Sequence, residues 1–164
     1  MSFDFGSWNM KEKPTGLWRH VLRIPIHLYH WRLGFLMGGR FILIDHVGRK
    51  SGKLYQTPVE VVRHDTVSGE YIVCSGTGPN ADWYRNLTAK PADAVQVRNE
   101  RWQPTQRMLT QQEASDYFEG YENEHPKAAK RLLKSMGKDY DGTDEGRFAM
   151  AAEMPMIAFS HNPA

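Results

Sequence analysis

The spacing of hydrophobic positions changes along this chain, and each change marks an element. From 16 to 34 the stretch GLWRHVLRIPIHLYHWRLG sets Leu17, Val21, Leu22, Ile24, Leu28 and Trp31 on one side. Arg19, Arg23 and Arg32 fall outside that stripe, which is the pattern of an amphipathic helical segment. Pro25 has no amide hydrogen and should kink it. After Gly38 and Gly39 the repeat shortens. RFILIDHV (40–47) has the β-branched and aromatic content of a strand. YQTPVEVVRH (55–64) alternates, with Thr57, Val59 and Val61 on one face. The DTVSG turn (65–69) then joins it to EYIVCSG (70–76) as a hairpin.

In the second half, PNADWYRNLTAKP (79–91) reads as a short helix with Asn80 as its N-cap and Pro91 as its stop. DAVQVR and RWQPTQRML pair across an Asn-Glu turn, and Pro104 assigns the second of them to an edge. Thr110 and Glu113 form a capping box that opens a helix running to Asn123 or nearby. Pro126 begins another helix, which Gly137 ends. DGTDEG turns into a short helix, and PMIAFS (155–160) is a last strand. Antiparallel strands, about six of them as in a mean-sized sheet, with helices between and at the ends, make an α+β barrel or sandwich and exclude a doubly wound sheet. One domain spans 1–164, with 1–15 flexible ahead of the amphipathic segment.

Composition adds bounds. With 40% hydrophobic and 24% charged residues the chain has the make-up of a globular domain. The single cysteine, Cys74, rules out an internal disulfide and reads as an inert small hydrophobe on an apolar strand. The first residues lack a basic leader followed by an apolar run, and no window offers the roughly 20 apolar residues of a spanning helix. A cytoplasmic location is the expectation. The net charge of +2 conceals an asymmetry, because residues 1–53 hold nine Lys or Arg against three acids. Such a basic end suits a phosphate, a lipid headgroup or a nucleic acid, or is merely a solvated face. The amphipathic segment 16–34 either lies on the cytoplasmic face of a membrane or docks on the protein's own core.

Two stretches carry candidate chemistry. In HVGRKSG, Gly48 and Gly52 permit a sharp turn, and Arg49, Lys50 and Ser51 supply charge and a hydroxyl. Successive backbone N–H groups in such a turn form a concavity for an anion. It is not a Walker loop, and no dinucleotide fingerprint is present. A charged hairpin turn with no ligand is the plain alternative. In GTGPNADWYRNL, Trp83, Tyr84 and Asn86 share a short helix beside Gly76 and Gly78, which suits a flat ring lying on the backbone. The plain alternative is that Trp83 and Leu87, at i and i+4, plug the end of a barrel, leaving Tyr84 and Asn86 to point elsewhere. Other candidates are weak. His27 and His30 lack further ligands for a metal, and DYDGTDE (139–145) lacks the glycine of a calcium loop. Glu60 is either solvent-facing or lines a polar pocket. No nucleophile elbow or H-E-x-x-H is present, and no metal site is expected.

GGRFILIDHVGRKSG, followed by QTPVEVV, YIVCSG and ADWYRNLTAKP, resembles the deazaflavin-dependent nitroreductase family, from Leu17 to PMIAFS. The resemblance implies a split β-barrel reductase that uses the 8-hydroxy-5-deazaflavin coenzyme F-420. It implies that Arg49, Lys50 and Ser51 cradle the coenzyme's phosphate and tail. It also implies that Gln56, Thr57, Pro58 and Val59 run along the ribityl chain and ring. Val73, Cys74, Ser75 and Gly76 would offer backbone and the Ser75 hydroxyl, and Asp82, Trp83, Tyr84, Arg85 and Asn86 would come to the same site. The family tyrosine that covers the ring matches Tyr121, or else Tyr117, and Tyr121 becomes the catalytic candidate. The expected partners are a small hydride acceptor and a second copy of the chain, not nucleic acid. One departure stands out: Tyr55 occupies a position where many members carry Arg, with Lys53 two residues earlier as a substitute. The cofactor does the hard chemistry in such enzymes, which agrees with the lack of a nucleophile. The alternatives are a split barrel holding FMN or haem, and a non-enzymatic binder of membrane surfaces.

Overall fold

In a computed structural model the described residues are 39–135 and 141–161. The amphipathic segment 16–34, with His27, His30 and its arginines, lies outside them, as does the Gly137 helix stop.

Seven antiparallel strands form one sheet: β1 (Phe41–Val47), β2 (Leu54–Asp65), β3 (Glu70–Cys74), β4 (Ala94–Val97), β5 (Glu100–Trp102), β6 (Pro104–Met108) and β7 (Met156–His161). Their order is β5-β4-β1-β2-β3-β7-β6, a nearly closed split barrel. Four helices accompany them among the described residues: α1 (Asp82–Ala89), α2 (Gln111–Glu124), α3 (Pro126–Ser135) and α4 (Asp144–Glu153).

The period-two pattern decides which side chains go where. On β3 and β7, Val73, Ile157 and Phe159 point into the barrel, joining Ile42 and Ile44 of β1. Their neighbours Ile72, Met156 and Ala158 face outward and are covered by Phe118 of α2, Leu133 of α3 and Met150 of α4. The central strands are therefore buried on both faces. Burial of each such side chain stabilises the fold by about 1.5–3 kcal/mol. Leu87 of α1 closes the barrel end at 1% exposed, with Trp83 packed beside it.

Two local expectations are corrected. The stretch RWQPTQRML is not one strand. β5 pairs with β4 through Val97↔Glu100, whereas β6 pairs with β7 through Thr105↔Ser160. The chain crosses at Gln103, so six strands become seven, and Pro104 begins an edge strand as its missing N–H requires. Helix α1 opens on Ala81 instead of Asn80, with no side-chain cap. The capping box at Thr110 and Glu113 is present in full. Glu60 faces solvent, paired with Arg40 at 3.2 Å.

Candidate active site at the barrel mouth

The turn between β1 and β2 is built tightly. Gly48 N–H donates to Lys53 O at 2.8 Å, and Gly52, at φ +67°, donates back to Gly48 O at 2.8 Å. A Cβ on Gly48 would lie 2.7 Å from the ring of Tyr55, so only glycine fits beneath that ring. Tyr55, 45% exposed, places its hydroxyl 3.2 Å from Ser51 Oγ. Ser51 Oγ also accepts from Lys53 N–H at 3.3 Å.

Arg49 is committed to the protein. Its backbone N–H donates to Asn86 Oδ1 at 3.1 Å, and its Nη1 donates to the same oxygen at 2.9 Å. Its Nη2 pairs with Asp82 Oδ1 at 3.2 Å. The guanidinium thus ties α1 to the turn. Lys50 and Lys53 remain as exposed cations. Among the described residues the backbone N–H groups of Lys50 and Ser51 meet no acceptor. They are two consecutive amides at the tip of a turn, the arrangement that receives an anion.

Behind the turn lies a polar chain that the sequence reading missed. His46 is 3% exposed, with Nε2 2.9 Å from Thr57 Oγ1 and Nδ1 3.1 Å from Asn86 Nδ2. Burial holds its pKa below the usual value, and nearby Asp45 opposes this only in part. On the opposite face of β1, buried Asp45 accepts from Gln56 Nε2 at 2.9 Å and pairs with Arg101. Gln56 and Thr57 therefore face opposite ways. Gln56, Thr57, Pro58 and Val59 cannot all present side chains to one ligand.

The remaining candidates divide. Val73 is wholly within the core, and Cys74 has its thiol pushed up to about 12 by burial. Ser75 is fully buried and donates to Gly78 O at 2.7 Å, so its hydroxyl has no free reach. Gly76 is half-buried and Arg85 exposed. Tyr84 does not point away from the barrel; it packs on the same inner cluster as Trp83, edge to face at 6.0 Å. Tyr121 is half-buried on α2 beside Phe118 and His125. Burial raises its pKa, Glu60 adds to this and Arg40 opposes it, so the phenol stays a donor at neutral pH. Tyr117 lies on the same helix face, against the outer cluster.

Residues 30–136 match the family model described as F420H(2)-dependent quinone reductase. The chain belongs to that family. Similar solved structures include one described as an F420-H2 dependent reductase, FDR-A, at 21% identity and TM-score 0.48, covering 74% of this chain and 94% of that one. Another is a pyridoxamine 5'-phosphate oxidase-related, FMN binding protein from Nostoc punctiforme, at 12% identity and TM-score 0.48, covering 90% and 81%. A third is a protein related to general stress protein 26 from Clostridium acetobutylicum, at 9% identity and TM-score 0.43, covering 82% and 84%. The F420H(2)-dependent quinone reductase family is an enzyme family. No described helix is long and apolar enough to cross a membrane.

Proposed function

We propose that this reductase transfers hydride from reduced coenzyme F-420 to a small acceptor such as a quinone, a nitro compound or an activated alkene. The observation that carries the reading is the turn at Lys50 and Ser51. Its other amides are closed on the protein, and these two meet no acceptor among the described residues. Lys50 adds a charge there, with Lys53 close by, while Arg49 holds the turn against α1.

Strand β2 leads away from that turn. Tyr55 and Glu60 are five residues apart, about 17 Å at strand rise, and Glu60 lies near enough to Tyr121 to act on its phenol. A coenzyme anchored by its tail at Lys50 would run along β2 and bring its ring towards Tyr121. The coenzyme, when bound, supplies the hydride. The protein binds the tail, holds the ring flat on the barrel mouth and limits water there. The Tyr121 hydroxyl, kept protonated, donates to an oxygen of the acceptor as charge develops on it.

Titration of the protein with oxidised F-420 and, separately, FMN, followed by fluorescence, tests the reading. Tight F-420 binding is expected, and preference for FMN would overturn it. Lys50→Ala should weaken F-420 binding about 10- to 100-fold, as loss of a charge-assisted contact does. Tyr121→Phe should slow single-turnover oxidation of the reduced coenzyme by menadione more than it weakens coenzyme binding. An unchanged rate would leave Tyr121 as packing.

A further inference from the structure

His46 is buried on β1 and hydrogen-bonded at both ring nitrogens. The direction of those bonds follows from chemistry. Arg49 offers only donors to Asn86, from its backbone N–H and its Nη1. The Asn86 atom facing Arg49 is therefore the oxygen, and the atom facing His46 is the amide nitrogen. That nitrogen donates to His46 Nδ1. A ring that accepts at Nδ1 carries its proton at Nε2, so it donates to Thr57 Oγ1. The Thr57 oxygen is filled from behind, and its own hydrogen must point elsewhere. Among the described residues that hydrogen meets no acceptor. Thr57 is half-buried on β2, between Tyr55 at the turn and Val59.

We infer that Asn86 and His46 are positioning residues that make the Thr57 hydroxyl a fixed hydrogen-bond donor to an oxygen of the coenzyme lying along β2. The inference rests on the deazaflavin reading above. Five groups form one directed chain: Asp82 orients Arg49, Arg49 orients Asn86, Asn86 sets the tautomer of His46, and His46 sets the rotor of Thr57. A hydroxyl fixed in this way binds an acceptor without first losing rotational freedom. It also discriminates, because a ligand presenting a donor at that point would face another donor.

The first arm of the test needs no coenzyme. Long-range nitrogen–proton correlation of the imidazoles, with His46 assigned by its absence in His46→Phe, should show a neutral ring protonated at Nε2. A ring protonated at Nδ1 would overturn the inference. The second arm measures F-420 affinity. Thr57→Val keeps the shape and should weaken binding about three- to tenfold, with Thr57→Ser restoring it. His46→Phe should weaken binding in the parent and have no effect in the Thr57→Val background, because the histidine acts through the hydroxyl. Equal losses in both backgrounds would mark His46 as a support of the fold alone. If His46→Phe does not fold, the tautomer and the two Thr57 variants decide the matter. A parent that binds no F-420 would overturn the functional reading, while the tautomer result stands on its own.

Discussion

Helix α1 opens on Ala81, which offers no side-chain acceptor, whereas α2 opens on Thr110 with a complete capping box. In α2, Glu113 closes the cap and also binds Arg107 at 2.7 Å, and Arg107 in turn grips Glu70 of β3 at 2.6 Å. Fourteen residues and a local start signal let α2 specify itself. Helix α1 has eight residues, fewer than an isolated helix needs to persist in water. It is held by Leu87 beneath it and by Arg49 reaching across 33 and 37 residues to Asp82 and Asn86. The difference is instructive. The helix beside the candidate site has no independent stability, so turn and helix hold or loosen together.

The comparison is broken most strongly on the α2 side. Phe118, 2% exposed in the outer cluster, should cost about 3–5 kcal/mol as Phe118→Ala. Denaturant unfolding measures this. Asn86→Ala should cost about 2 kcal/mol, because it strands part-buried donors of Arg49 and a buried acceptor of His46. Hydrogen exchange should then show α1 amides losing protection while α2 amides keep theirs. Thr110→Ala removes the cap acceptor and should cost about 1 kcal/mol, with fraying confined to the first turn of α2.

The smallest effect is in pH. The folded pKa of His46 lies below its ordinary 6.5, so between the two values the unfolded chain binds a proton that the folded one does not. Stability is full above about 6.5 and falls as pH drops through that window. Glu113 is depressed in the same direction, from 4.5 to about 2, set first by the Thr110 backbone and then by Arg107. Its contribution is present above 4.5 and is lost only as pH falls towards 2. Acid should loosen the mouth before it opens the α2 cap. Simultaneous loss of both, followed by hydrogen exchange across pH 3–7, would remove the distinction.

What was legible in the sequence were features carried by neighbours. The alternation in β2, the Thr110–Glu113 box and the glycines of the turn all act within a few residues. The tight closure of that turn, from Gly48 to Lys53, was readable for the same reason. The role of Arg49 as a clamp was not, since its partners are on a helix more than thirty residues away. His46 read as one polar residue in a strand, and nothing local announced that Asn86 and Thr57 would meet it. Ser75 looked available beside glycines until folding directed its hydroxyl back onto Gly78. Pro104 was assigned to an edge correctly, but the break at Gln103 depended on which strand each half would find.

That break has a consequence for how the sheet tolerates cutting. β5 and β6 are its two margins, yet one residue of chain joins them, and Trp102 Nε1 reaches over to donate to Ser160 O of β7 at 3.2 Å. A seam held this way offers no long open margin on which a foreign strand could add. Moving the chain ends to Gln103 by circular permutation would keep every pairing while unfastening the seam. Such a molecule should fold to the same barrel and then exchange strands with its neighbours, trading a fastened sheet for a sticky one.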